Sequence, residues 1–202
     1  MQLKPASTIL LSVLLCTASA CAWASKAGVM APDFTLVDTH GNSHQLSDFK
    51  GKTVVLEWTN HECPYVKKHY ESGNMQELQA DATADDIVWL TILSSAPGKQ
   101  GHTSPEEANA IIDKHQAKAT ARLLDYDGTV GRLYDAKTTP EMFIIDAEGM
   151  IQYDGAIDDQ PSFNPKSLEG ANNYVTAALT AMATGSEVAV KSTPPYGCSV
   201  KY

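Results

Sequence analysis

The chain has 202 residues, 43% of them hydrophobic and 19% charged, with 15 Lys and Arg against 24 Asp and Glu. That length supports one domain with a real core, and the apolar content excludes a disordered chain. A formal charge of −9 offers neither nucleic acid nor an anionic membrane surface the basic patch it needs. Four cysteines are too few for a disulfide scaffold of this size.

Residues 1–24 read as a secretory leader. Lys4 supplies the positive start, Ile9–Leu15 the apolar run, and Ala22-Trp23-Ala24 the small-residue cleavage pattern. Cleavage after Ala24 is expected, which places the protein in the periplasm or outside the cell. The alternative is acylation of Cys21, the one route by which this chain would reach a membrane. Cleavage leaves Cys63 and Cys198. Two cysteines in an exported chain suit a disulfide or redox role, if their settings agree.

The first elements after the leader are a short strand at Phe34–Val37, a turn at Asp38–Asn42 and a return at Ser43–Leu46. One helical turn follows at Ser47–Gly51. The β-branched run Thr53–Thr59 is a buried strand, and Tyr65 to about Asp81 a helix with a kink near Gly73. Ile87–Leu93 is a second buried strand. Ser104-Pro105-Glu106-Glu107 starts a helix to about His115, with Ser as cap and Glu three positions on. Ala121–Asp125 is a short strand and Thr129–Asp135 a short helix. Glu141–Asp146 and Met150–Tyr153 form a hairpin, Glu169–Thr184 a terminal helix, and the tail from 191 to 202 is irregular. Trp58 and Trp89 fall in strands and belong to the core. This order predicts an α/β sandwich on a mixed sheet over residues 25–190, with the tail carrying Cys198.

Cys63 ends the loop that leaves the first buried strand, and Pro64 suits the first position of the next helix. Cys63 then sits at the cap, under free backbone N–H groups and the positive end of the helix dipole. Such donors favour a thiolate over a thiol and make a nucleophile. His61, Lys67 and Lys68 add positive charge nearby. The competing reading is a small buried hydrophobe.

Ala31-Pro32-Asp33-Phe34, the strand Val54–Trp58, Cys63-Pro64, Thr139-Pro140 and Phe143-Ile144-Ile145-Asp146 together resemble the thioredoxin-like redoxins. That superfamily includes thioredoxins, peroxiredoxins and exported thiol–disulfide oxidoreductases. The resemblance covers about Val29 to Tyr153 and implies a thioredoxin-like sandwich with an N-terminal β-hairpin. It implies that Thr139-Pro140 is the cis-proline loop, which faces the reactive cysteine and pairs with substrate backbone. The window Cys63-Pro64-Tyr65-Val66 keeps the nucleophile but has Val66 where thioredoxins carry the resolving cysteine. Glu57 resembles the buried acid behind their cysteine pair and would relay a proton. Peroxiredoxins place Thr or Ser three residues before the cysteine and an Arg on the facing strand. Here those positions hold Asn60 and Pro140, so the anion clamp for a peroxide is missing.

The expected activity is therefore thiol–disulfide exchange without a bound cofactor. Cys63 attacks, Asn60 and His61 shape its surroundings, and Thr139 and Pro140 hold the partner's backbone. Thiols and disulfides of proteins or small molecules are the expected partners, with an external thiol as reductant. Cys198 resolves the mixed disulfide, or staples the fold at up to about 5 kcal/mol in the chain-entropy model, or stays free or bridges two chains. Weak reduction of peroxides is one alternative. Another is a copper- or zinc-binding protein using Cys63 with His61, His69, His40 or His44. Asp158-Asp159 reads as a solvated turn.

Overall fold

The β-branched run at 53–59 forms β3 (Val54–Trp58), fully buried within a seven-stranded sheet. The computed structural model describes residues 25–202; the expected leader and Cys21 lie outside them. Along β3, Val54, Leu56 and Trp58 face one hydrophobic cluster while Val55 and Glu57 face the other. This is the two-residue period of a strand covered on both sides. On one side β3 pairs in parallel with β4 (Val88–Leu93), which pairs in parallel with β5 (Ala121–Leu124). On the other side β3 pairs antiparallel with β7 (Glu141–Ile145), and β7 with β8 (Ile151–Gly155). The N-terminal hairpin, β1 (Thr35–Asp38) and β2 (Ser43–Gln45), extends the sheet antiparallel from β5. The sheet is mixed, with helices on both faces, as expected.

Trp58, Tyr134 and Phe143 pack together on the first face, with ring centroids 5.3 Å apart. Full burial of each such ring contributes roughly 1.5–3 kcal/mol. The second face is covered by α1 (Pro64–Glu71), α2 (Asn74–Ala84) and α5 (Tyr174–Ala183). The first two replace the one kinked helix expected from Tyr65 to Asp81; Gly73, at φ +82°, breaks it. α3 (Pro105–His115) starts on the expected capping box: Ser104 Oγ accepts the Glu107 N–H at 3.2 Å and Glu107 Oε2 accepts the Ser104 N–H at 2.8 Å. α4 (Thr129–Leu133) follows β5.

The terminal helix is shorter than its Ala-rich stretch predicts. Asn173 accepts the Thr176 N–H at 3.0 Å and starts α5 there, while Pro165–Leu168 forms a separate 3-10 turn. Among the described residues no helix is long and apolar enough to cross a membrane.

The tail is not irregular. It is a strap across the C-terminal end of β3. Thr193 N–H bonds to Asp154 O at 3.0 Å, and Ala96 N–H to Lys201 O at 2.8 Å. Between these points β9 (Cys198–Ser199) pairs antiparallel with β6 (Thr138–Thr139). Gly197, at φ +142°, makes this approach feasible, because a Cβ there would lie 2.0 Å from Thr139 O. Gly197→Ala is expected to loosen the strap at a cost of about 1–3 kcal/mol. Amide exchange at Ser199 and Val200 reads this directly and should accelerate without a change in the exchange of β3 and β4.

Candidate active site

Pro64 begins α1 and Cys63 is its N-cap, with its own N–H bonded to Asn60 O at 3.0 Å. The tight turn aims the side chain back over the first helical turn. There its sulfur faces the Thr139-Pro140 loop, whose peptide is cis. Cys63 Sγ donates to Thr139 O at 3.1 Å, and the residue is fully buried.

Cys198 completes the enclosure. Its register partner is Thr139, whose carbonyl accepts from Cys63, so the second thiol lies beside the first. The two cysteines are not covalently bonded. Burial of Cys63 opposes ionisation. The Cys198 thiol, the Val66 N–H, the Thr139 side chain and the Cys198 N–H together overcome it and hold Cys63 below an ordinary thiol. Cys198 moves the other way, to about 11, because of its burial and the neighbouring Cys63. Of the two thiols, Cys63 is therefore the one that loses its proton more readily.

The strap is anchored two residues before Cys198. The Tyr196 hydroxyl donates to Asp158 Oδ1 and accepts from Lys68 Nζ at 3.0 Å. Lys68, 1% exposed, also donates to Gln160 O at 2.9 Å and lies 3.5 Å from Asp158. Asp158 is buried, so the expected solvated turn is instead the acid of an interior ion pair. His69, a candidate metal ligand from sequence, is also buried, and burial lowers it to about 3, which makes it a neutral ring. Asn74 bonds to its Nδ1 at 2.9 Å.

The other predicted residues are placed around this centre rather than against the sulfur. Asn60 is buried, but Oδ1 accepts the Glu62 N–H at 2.9 Å and Nδ2 donates to Gln100 O at 3.2 Å. Its polar atoms shape the loop. Glu62 ties the same loop to Gly101 N–H at 2.7 Å. His61 turns toward α3 and lines a cleft with Lys67, His115 and Arg122. Burial lowers its basicity. Glu57 is fully buried on the α1 side, where Tyr70 donates at 2.8 Å, Trp89 at 2.9 Å and Gln79 at 3.1 Å. Burial raises it, against the pull of these donors and of Arg122.

Asp158, Tyr196 and Glu141 were not singled out for the site from sequence, and Lys68, expected to add charge beside Cys63, instead serves Asp158, Gln160 and Tyr196. Glu141 follows the cis-proline loop directly and is fully buried. Its Oε2 accepts the N–H groups of Lys137 at 2.7 Å and Thr138 at 2.9 Å, so it holds the loop that faces Cys63. An acid opening an otherwise apolar strand, immediately after Thr139-Pro140, was the available signal. Among the described residues no three His, Cys, Asp or Glu side chains converge as a metal site.

The model of the AhpC/TSA family matches residues 27–154. The thiol-disulfide oxidoreductase ResA of Bacillus subtilis is 28% identical over 124 residues, which are 61% of this chain and 64% of ResA. The chain therefore spans slightly less than two thirds of that relative. An uncharacterized conserved protein from Geobacillus kaustophilus superposes with a TM-score of 0.75 at 28% identity, over 87% of this chain and 92% of that one. A hypothetical protein from Sinorhizobium meliloti 1021 shares the fold, with a TM-score of 0.73 at 24% identity over 87% and 94% of the two chains.

Burial lifts Glu141 from an ordinary 4.5 to about 7. The folded state then binds more protons than the unfolded state between those values, so this group's contribution to stability falls as pH rises through that window. The shift corresponds to about 3 kcal/mol at most. Glu141→Gln keeps an acceptor for the two N–H groups and removes the titration. Denaturant unfolding at pH 5 and pH 8 should show a smaller difference in the variant than in the wild type.

Proposed function

This chain belongs to the AhpC/TSA family, and on that premise we propose that it is an exported thiol–disulfide oxidoreductase working through Cys63 and Cys198. The observation that carries the reading is the pairing of Cys198 with Thr139, which sets a second thiol against a depressed Cys63 across the cis-proline loop. Export rests on the leader pattern of residues 1–24. Kinship to ResA, named a thiol-disulfide oxidoreductase, supports the same chemistry.

In this cycle the Cys63 thiolate attacks one sulfur of a substrate disulfide. A Cys63–substrate disulfide forms, and the other substrate sulfur leaves as a thiolate. That leaving group takes the proton that Cys198 gives up as it becomes the attacking thiolate. Cys198 then attacks the Cys63 sulfur, and the second substrate sulfur departs. The substrate disulfide is reduced by two electrons and the cysteine pair is oxidised by two. An external dithiol reverses the process. The opposing shifts of the two thiols support the order Cys63 first, Cys198 second.

The strap must lift for this to happen. Cys63 is buried, and β9 occupies the edge of Thr139 on which, by resemblance to thioredoxins, substrate backbone would lie. Substrate entry therefore competes with the tail, and the tail's return delivers the resolving thiol. The arrangement supports disulfide exchange over peroxide reduction, because the donors around the sulfur are neutral and include no guanidinium.

The test uses an aromatic disulfide whose thiolate is coloured. Wild-type reduced protein should release both aromatic thiolates and finish as the Cys63–Cys198 disulfide. Cys198→Ser should release one and retain the other as a mixed disulfide on Cys63. Cys63→Ser should react at least about a hundredfold more slowly. A Cys63→Ser protein that keeps the wild-type rate would overturn the assignment.

A further inference from the structure

Three consecutive residues of the strap, Tyr196-Gly197-Cys198, each fill a defined place. Cys198 pairs in antiparallel register with Thr139, beside Cys63. Gly197 approaches so closely that a Cβ there would lie 2.0 Å from Thr139 O. Tyr196 sets its hydroxyl between Lys68 and Asp158, which are 1% and 2% exposed. Its ring lies 5.8 Å from that of Tyr65, and Tyr65 in turn meets Phe163 edge-on at 6.1 Å.

Lifting the strap takes all three residues out of their places. It uncovers the edge of Thr139 and the ring of Tyr65, and it removes the hydroxyl from between Lys68 and Asp158. A buried ion pair stripped of a hydrogen-bonding partner is costly, and a ligand that restores the hydroxyl recovers that cost. Phe163, 64% exposed, stands at the outer end of the aromatic row. A ring so exposed adds little to the core and suits contact with a partner. A peptide segment in the strap's conformation meets every one of these groups. A small disulfide such as cystine has no chain to lay along Thr139 and no ring for Tyr65.

We propose that the strap is the internal image of a protein substrate, an extended segment that reads Tyr-Gly-Cys with its cysteine in a disulfide. The substrate tyrosine gives its hydroxyl to Lys68 and Asp158 and lays its ring on Tyr65 beside Phe163. Its glycine passes close to Thr139, and its cysteine sulfur takes the place of Cys198 next to Cys63. This rests on the thiol–disulfide reading and narrows its substrates to proteins. The Cys63 thiolate attacks that sulfur, and the other sulfur of the substrate disulfide leaves as a thiolate. The returning strap displaces the segment from Thr139, and Cys198 then attacks Cys63 and frees the segment's thiol. The substrate gains two electrons, the cysteine pair loses two, and the external dithiol restores the pair.

Two measurements test this on the full chain. The first compares reduction of two disulfide-linked peptide dimers, one of Pro-Tyr-Gly-Cys-Ser and one of Pro-Ala-Gly-Cys-Ser. Wild type should prefer the tyrosine dimer by about tenfold or more, and the surface variant Phe163→Ala should narrow that preference. The second adds the redox-silent peptide Pro-Tyr-Gly-Ser-Ser and follows amide exchange at Val200. Exchange should accelerate saturably, and the alanine counterpart should not produce this. Equal rates for the two dimers overturn the substrate assignment and leave the thiol–disulfide reading standing. A preference without faster exchange at Val200 overturns the shared place of strap and substrate. If neither dimer nor the aromatic disulfide is reduced, the thiol–disulfide reading fails; faster Val200 exchange then still upholds the segment site, and unchanged exchange overturns it too.

Discussion

The antiparallel pairing of Thr139 with Cys198 is the contact on which the rest of the site depends. It brings the far end of the chain to the cap of α1, buries Cys63 and supplies two of the donors facing its sulfur. A two-residue ladder cannot hold a tail in place by itself. The Tyr196 hydroxyl, set between Asp158 and Lys68, fixes the strap before Cys198. The bonds of Val200 N–H to Lys137 O and of Ala96 N–H to Lys201 O fix it after. The interior ion pair thus has a positional consequence beyond any contribution to stability, which for buried pairs is often small.

The electrostatics divide cleanly between neutral and charged groups. Neutral backbone and thiol donors surround Cys63, whereas the cations of the same loop and helix point elsewhere. Lys68 serves the strap, His61 and Lys67 line the Arg122 cleft, and His69 is neutral and enclosed. These neutral donors hold the sulfur below an ordinary thiol without a fixed cation against it.

Much of this fold was legible in the residues. The buried strands followed from their β-branched runs, α3 from Ser104 and Glu107, and the cap at Cys63 from the proline after it. The mixed sheet followed from the order of these elements, and its thioredoxin-like form from the family resemblance. Other features required the third dimension. α5 starts late because Gly170, at φ +75°, interrupts the stretch and the Asn173 side chain caps the helix just before its Ala-rich part. The tail looked irregular because its pairing partner lies some sixty residues upstream, beyond any local pattern. Asp158 looked like a solvated turn because its partners, Lys68 and Tyr196, come from distant segments. Glu141 was hidden among apolar neighbours. Sequence could name Cys63 and Cys198; it could not show that they touch.

The central claim is that Cys63 and Cys198 form one redox pair. Equilibrating the protein with thiol–disulfide buffers of stepped potential, then trapping and mapping its cysteines by mass spectrometry, tests this most directly. The account predicts a Cys63–Cys198 disulfide that exchanges between about −120 and −270 mV. Two thiols that persist at every potential, or a bond that resists reduction below about −300 mV, would contradict it.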